Sequence, residues 1–307
     1  MKPVHIGDIV DVVAPASACT RAELFQGVNA IRRLGLVPRV PKNLFGRSSL
    51  FANHDALRLK HLQRAIYAPD SKLVWCVRGG YGAIRLMAEV ARWRRPAHAK
   101  IFLGYSDITT LHLDFNQRWG WPTLHGPLLD RFGRDGLTPR ERKELLGLLF
   151  GTLREVEFKG LKALNRLARQ SRVVRGRILG GNMTVLASGL GTASALKPGP
   201  HILFFEDTGE RPHRVDRMLT QMTQAGWFKN CRAVVLGDFI LKDPRDLRIL
   251  RQDVFPRFAE TLKIPFLAGL AVGHKDRGQR TLPLNTRAQL YLGQSPRLMV
   301  DSGIQRS

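Results

Sequence analysis

Short apolar runs alternate along the chain with longer segments in which apolar residues recur every three or four positions. In the first half, four apolar runs each predict a buried β-strand: DIVDVVAPAS, LVPRVP, LVWCVRG and KIFLGY. Thr20 and Glu23 form a capping-box pattern before one helical repeat, and a second such pattern begins at Thr138 before LLGLLF. Strands that alternate with helices are typical of α/β proteins.

The second half of the chain repeats this alternation. Strands are predicted in VVRGRILGG, HILFFED, AVVLGDF and FLAGLAVGH, followed by a closing β region over residues 280–300. Residues 151–175 are basic and only weakly periodic, so we predict a linker there. The sequence therefore predicts two mixed α/β domains, an N-terminal domain over 1–150 and a C-terminal domain over 176–307.

The composition is that of a soluble globular protein, with 44% hydrophobic and 24% charged residues. Asp8 and Asp11 interrupt the first apolar run, which indicates a strand rather than a signal peptide, and we expect a cytoplasmic protein. No apolar run approaches the roughly 20 residues that span a bilayer. The three cysteines lack C-x-x-C spacing, and H-E-x-x-H is missing, so neither a disulfide framework nor a metal is expected.

The net charge of +24 is unusual, with 49 Lys and Arg against 25 Asp and Glu. A basic surface binds nucleic acid by releasing counterions, so a polyanionic partner has to be considered. The basic residues are spread along the chain, densest over 153–177, without zinc-finger spacing, an RNP pattern or a basic zipper. We therefore do not expect a nucleic-acid partner and interpret the charge as a basic surface that attracts acidic substrates.

Gly104-Tyr105-Ser106-Asp107 stands where the strand KIFLGY ends and a helical repeat begins. A serine at such a turn can act as a nucleophile if a base takes its proton, and N–H groups at the helix start can stabilise an oxyanion. A helix N-cap serine is the alternative, and this stretch alone favours it because the second glycine of the G-x-S-x-G elbow is missing.

A glycine-rich loop, RGGYG over 78–82, directly follows the strand LVWCV. Glycines permit positive φ and let the backbone approach a ligand closely. The loop could complete an oxyanion hole with the amide of Asp107, or it could simply be a turn. It matches neither the dinucleotide fingerprint nor a P-loop.

An acid and a base follow two strands of the second half. Glu206 and Asp207 end the strand HILFF, and His274 follows FLAGLAV. An imidazole with an ordinary pKa near 6.5 suits a general base. A solvated turn and a structural histidine remain open for these positions, and His125 is the second choice as base.

Taken in order, these motifs resemble the LD-carboxypeptidase family of serine peptidases, the group of the muramoyltetrapeptide carboxypeptidases and the microcin C7 immunity peptidase. The matching stretches span nearly the whole chain: VVAPAS (12–17), RGGYG (78–82), GYSDIT (104–109), GGN (180–182), LFFEDTGERPHRVDRML (203–219) and AVGHKDRGQRTLPLN (271–285). The family pattern usually ends in L-P-x-G, whereas here Asn285 takes the last position. Asn tolerates the left-handed region next best after Gly, so we expect the turn to persist.

The resemblance implies a triad in which Ser106 is the nucleophile, Glu206 the acidic member and His274 the base. The N-terminal domain would supply the serine and the C-terminal domain the other two. The resemblance implies a homodimer and no cofactor. The remaining site residues implied are Asp107 and Gly80 for the oxyanion hole, and Arg78, Gly79, Tyr81 and Asn182 for substrate binding.

The implied reaction is hydrolysis of the L,D-peptide bond to the terminal D-alanine of peptidoglycan tetrapeptides during cell-wall recycling. One alternative is an immunity-type peptidase that cleaves an aminoacyl nucleotide. That reaction calls for an aromatic platform beneath the base, for which Trp121 and Trp227 are the candidates. A basic nucleic-acid-binding protein is the other alternative, and only the net charge supports it.

Overall fold

The computed structural model describes residues 1–197 and 199–304. Its strands are β1 (Ile9–Val13), β2 (Val37–Arg39), β3 (Ser71–Cys76), β4 (Ile101–Gly104), β5 (Thr123–His125), β6 (Glu155–Phe158), β7 (Lys162–Ala163), β8 (Val173–Asn182), β9 (His201–Thr208), β10 (Ala233–Ile240), β11 (Phe266–Ala268), β12 (Leu282–Leu284), β13 (Arg287–Tyr291) and β14 (Arg297–Asp301).

The helices lie between these strands, with short 3₁₀ turns at Ala83–Leu86 and Ser106–Ile108. A π-helical stretch, Leu250–Val254, joins the tenth and eleventh helices. The α-helices are α1 (Arg21–Arg33), α2 (Asp55–Tyr67), α3 (Met87–Val90), α4 (Thr109–Arg118), α5 (Leu129–Gly133), α6 (Pro139–Leu149), α7 (Arg166–Arg169), α8 (Met183–Ser188), α9 (Pro212–Gln224), α10 (Pro244–Ile249) and α11 (Phe255–Thr261).

The first sheet has the strand order β12-β5-β4-β3-β1-β2. Its strands are parallel except β12, which pairs antiparallel with β5. The four residues of β4 are all buried, as expected for a parallel strand covered on both faces. Because β12 comes from the second half of the chain, the predicted closing β region over 280–300 is divided between the two sheets.

The second sheet has the order β6-β14-β13-β8-β9-β10-β11-β7, with a parallel centre from β8 to β11. Two of its strands come from the segment 151–175, where we predicted a linker. β6 pairs with β14, and β7 pairs with β11 at the opposite edge. In β6, Val156 and Phe158 are buried while the glutamates beside them face outward, a period of two that the surrounding basic residues obscured.

Two mixed α/β units around two sheets confirm the predicted fold class. Their cores are continuous, because one apolar cluster contains Val10 and Leu103 of the first sheet together with Phe204 and Val235 of the second. No helix in the described part of the chain has the length and apolar character needed to cross a membrane.

Glycines let the end of β8 approach both β9 and the start of α4. A Cβ on Gly180, where φ is +138°, would lie 1.8 Å from the Phe204 carbonyl oxygen. A Cβ on Gly181 would lie 2.5 Å from Thr109 Oγ1, and this hydroxyl accepts a hydrogen bond from the Asn182 N–H at 3.0 Å. This contact joins the second sheet to the helix that begins just after Ser106.

We expect Gly180→Ala to lower the free energy of unfolding by about 3 kcal/mol or more, because the new methyl meets rigid backbone at a positive φ. Urea unfolding measures the change. Gly293→Ala is the matched control, since φ there is +113° and the nearest atom is 3.5 Å from the new Cβ. The control should lose only about 1–2 kcal/mol, and equal losses in both variants would contradict the close approach.

Candidate active site

Ser106 occupies a strained turn between β4 and the 3₁₀ turn that leads into α4. Its φ is +66°, a left-handed conformation that only Asp135 and Asn285 share among the described non-glycine residues. Such strain is maintained where the surrounding structure enforces it, often at active sites. The cap position of the 3₁₀ turn belongs to Tyr105, and no side chain caps this turn, so Ser106 is not an N-cap serine.

The glycine-rich loop lies directly against Ser106. A Cβ on Gly79 would be 2.7 Å from Ser106 Cβ and 3.0 Å from its Oγ, so only glycine fits there. Among the described residues, the backbone N–H groups of Gly80 and Asp107 have no hydrogen-bond acceptor. Gly80 follows the glycine that touches Ser106, and Asp107 follows Ser106 itself, so both N–H groups remain candidates for an oxyanion hole.

The Asp107 side chain fixes this loop to the serine turn, a role that the sequence analysis did not assign to it. Its Oδ2 accepts a hydrogen bond from the Ala83 N–H at 2.7 Å, and the Gly82 N–H also contributes. Burial raises the pKa of Asp107 to about 6, although these N–H groups and the Arg58 charge oppose the rise.

The proposed acid and base are in direct contact. Glu206 is fully buried at the carboxyl half of β9, and its Oε2 lies 2.6 Å from His274 Nδ1. A Cβ on Gly273 would be 3.2 Å from the same Oε2, so glycine before the histidine lets the chain pass this closely. Burial lowers the pKa of His274, but the charge and hydrogen bond of Glu206 outweigh it and raise the pKa above 6.5.

His274 also lies beside the serine turn. Its ring packs edge-on against the ring of Tyr105, with the centroids 4.8 Å apart, and Tyr105 immediately precedes Ser106. The Ser106 hydroxyl forms no hydrogen bond with any described side chain. The structure thus places the Glu206–His274 pair beside the turn that carries Ser106, and the roles of the three residues as a catalytic triad stay a prediction.

Three of the predicted substrate-binding residues belong to the loop beside Ser106. The Arg78 side chain is 42% exposed, and its Nη1 lies 3.4 Å from Glu23 and 3.5 Å from Asp130. Tyr81 is 47% exposed, and Gly79 is buried against the serine. Their assignment to substrate binding stays a prediction.

Asn182, the fourth, is buried and already hydrogen-bonded within the protein. Its Oδ1 accepts from the Val185 N–H and so caps α8, and its Nδ2 donates to Asp207. It lies opposite Glu206 in the β8–β9 ladder. The structure thus gives its side chain a supporting role, and a direct contact with substrate stays a prediction.

His125, our second choice as base, lies next to Glu206 in the interior of the protein. It is fully buried at the end of β5, and its Nε2 is 3.9 Å from Glu206 Oε1. Burial, together with the nearby imidazoles of His112 and His274, lowers the pKa of His125 well below 6.5. The strand end at His125 was the sequence signal that made it a candidate base, but the burial of this residue could not be inferred from that position.

The other expectations concern aromatic platforms, metals and the terminal turn. Trp121 and Trp227 are 1% and 2% exposed, so neither offers a free face for stacking on a base.

In the part of the chain that the structure describes, no three His, Cys, Asp or Glu side chains are arranged to hold a metal ion. Asn285 adopts φ +56°, so the turn is formed with Asn in place of the glycine of the family pattern, as expected.

Comparison with known proteins places these residues in a family context. A model of the LD-carboxypeptidase N-terminal domain matches residues 10–126, and one of the C-terminal domain matches residues 175–290. The murein tetrapeptide carboxypeptidase of Pseudomonas aeruginosa is 30% identical over 86% of this chain and 87% of its own length. The microcin C7 self-immunity protein of Escherichia coli is 25% identical over 93% and 91%.

Among solved structures, a muramoyltetrapeptide carboxypeptidase from Oxalobacter formigenes superposes with a TM-score of 0.79 at 27% sequence identity. The match covers 95% of this chain and 98% of that one.

Glu206→Gln should lower the pKa of His274, because burial then acts without the opposing carboxylate charge. An NMR titration of the imidazole signals measures the shift. Glu210→Gln is the matched control, since Glu210 pairs with Arg214 and is not a cause of the His274 shift. An unchanged His274 pKa in the Glu206→Gln variant would refute the ion pair as its source.

Asp107→Ala should speed hydrogen exchange at the amides of Gly82 and Ala83, because their acceptor is lost. A buried N–H left without an acceptor costs about 1–3 kcal/mol. Asp107→Asn retains one acceptor oxygen and should protect these amides better than the alanine variant does. Equal protection in wild type and both variants would show that Asp107 does not hold the loop.

Proposed function

Since the chain belongs to the LD-carboxypeptidase family, we propose that it hydrolyses the L,D-peptide bond to the terminal D-alanine of peptidoglycan tetrapeptides in cell-wall recycling. The observation that carries the proposal is the buried Glu206–His274 pair packed against the turn of Ser106. Acyl transfer needs a nucleophile, a base and an orienting carboxylate, and this arrangement supplies one candidate for each.

In the proposed reaction, Ser106 Oγ attacks the scissile carbonyl carbon while His274 Nε2 takes its proton. Glu206 holds the Nδ1–H tautomer and stabilises the imidazolium that forms. The Gly80 and Asp107 N–H groups bind the oxyanion. His274 then protonates the departing amine of D-alanine, and water, deprotonated by the same imidazole, hydrolyses the acyl-enzyme.

A carboxypeptidase must also recognise the free carboxylate at the end of its substrate. Arg78 is the cation of the loop beside Ser106, and we propose that it binds this group. Its contacts with Glu23 and Asp130 are 3.4 and 3.5 Å long. These contacts orient the guanidinium, but they are longer than the bidentate ion pairs that arginine forms with carboxylates. Tyr81 would cover the bound peptide from the exposed side of the loop.

We also propose that the enzyme acts in the cytoplasm as a homodimer, as the family resemblance implies. Light scattering on the purified chain tests the dimer, and fractionation of the producing cells tests the compartment. The cleavage of an aminoacyl nucleotide takes second place, because both tryptophans considered for its base platform lie in the core.

The central prediction is that Ser106→Ala abolishes release of D-alanine from a diaminopimelate-containing tetrapeptide, with a loss of about 10⁴-fold or more. Mass spectrometry of the products measures it. Ser188→Ala, an exposed serine on α8, is the matched control and should retain full activity.

A tetrapeptide that ends in L-alanine should remain uncut by the wild-type protein. Retained activity in the Ser106→Ala variant would exclude Ser106 as the nucleophile. A wild-type protein that leaves the D-alanine substrate intact would exclude the proposed substrate.

A further inference from the structure

A basic cavity of about 470 Å³ lies at the amino-terminal end of the second sheet. Two of its arginines, Arg175 and Arg177, end the densest basic stretch of the sequence, which the proposed reaction does not use. We call it the arginine cavity and define it by Arg175, Arg177, His201, Arg232, Arg287 and Gln289, which line it together with Gly176, Pro200 and Ala288.

Three basic residues of the arginine cavity are aligned across three neighbouring strands. Arg177 on β8 lies directly opposite Arg287 on β13, and on its other side it lies opposite His201 on β9. Arg175 is two positions along β8 and therefore points to the same face as Arg177. Like charges directly opposite each other destabilise a sheet, so this register has a cost in the free protein.

No acidic side chain offsets this charge. The lining contains neither Asp nor Glu, and none of the four arginines forms an ion pair with a described residue. Arg177 and Arg232 donate instead to the backbone carbonyls of Asn285 and Arg175. Burial lowers the pKa of His201, and the charges of Arg177 and Arg232 lower it further.

The arginine cavity is separate from the active site. Arg177 precedes Asn182 on β8, and His201 precedes Glu206 on β9, by the same number of residues. At about 3.3 Å per residue, the two sites are roughly 16 Å apart along the strands. The cavity therefore lies at the end of the sheet opposite the triad and cannot contact the scissile bond.

We propose that the arginine cavity binds a compact anion that carries two or more phosphate groups, such as a diphosphate or triphosphate. Four arginines without an acidic partner among the described residues call for a ligand of comparable negative charge, and a single carboxylate supplies only one. Arginine binds phosphate oxygens through paired N–H groups, and four arginines line this cavity. The cavity has the size of a small-molecule site, which favours a compact ligand over a polymer.

Isothermal titration calorimetry of the full chain with inorganic pyrophosphate tests the proposal, at about 150 mM salt to suppress long-range attraction. Arg175→Gln combined with Arg287→Gln should weaken binding by about tenfold or more, because two arginines that can form charge-assisted, bidentate hydrogen bonds with phosphate are lost. Arg166→Gln combined with Arg169→Gln is the matched control. It removes the same charge from exposed positions of α7 outside the cavity and should change the affinity less than about twofold.

Further measurements decide between the outcomes. The cavity variant should retain D-alanine release and unfold at the same temperature as wild type or higher, since it relieves repulsion. ADP identifies the source of the phosphates, because tighter binding than pyrophosphate points to a nucleotide and equal binding to the phosphates alone. Equal losses in both variants, equal binding of citrate, or a single-stranded oligonucleotide that pyrophosphate cannot displace would overturn the proposal.

Discussion

A carboxylate buried away from water is stable only if other groups compensate its charge, and Glu206 is fully buried. Its partner, His274, comes from a different strand connection and is brought within 2.6 Å. Space for this contact comes from two glycines. A Cβ on Gly237 would meet the Val272 carbonyl oxygen at 2.4 Å, and one on Gly273 would meet the Asp238 side chain at 2.8 Å. The β9–β10 ladder shifts register at the same level, where a regular strand pair would leave no room.

Close contacts at glycines also hold the turn that carries Ser106. Gly79 allows the loop to touch Ser106, and the Asp107 carboxylate holds the loop by its backbone N–H groups. The end of β8 then contacts Thr109, one turn after the serine. The geometry between Ser106 and His274 therefore depends on close backbone contacts across the two sheets, with few side chains involved.

The sequence predicted the fold class well, because buried strands and amphipathic helices differ in period. It also predicted that Ser106 follows a buried strand and that Glu206 lies near the carboxyl end of another, whereas His274 lies six residues beyond the end of β11 and not directly after a strand. The order of these residues in a triad is what the family resemblance implies. The segment 151–175 was misjudged, since the alternation of Val156 and Phe158 is short and lies among basic residues that dominate the pattern. Long-range facts, such as the burial of His125 next to Glu206 or the side-chain bonds of Asp107 and Asn182, depend on partners far away in the chain and leave no local pattern.

The strand β12 has a mechanical consequence for His274. The segment that carries His274 is anchored at one end by β11 in the second sheet and at the other by β12, which is hydrogen-bonded to β5 in the first. A hinge motion that separated the two sheets would have to break that antiparallel pair or pull the imidazole away from Glu206. The two halves of the chain are thus joined through the segment that carries His274.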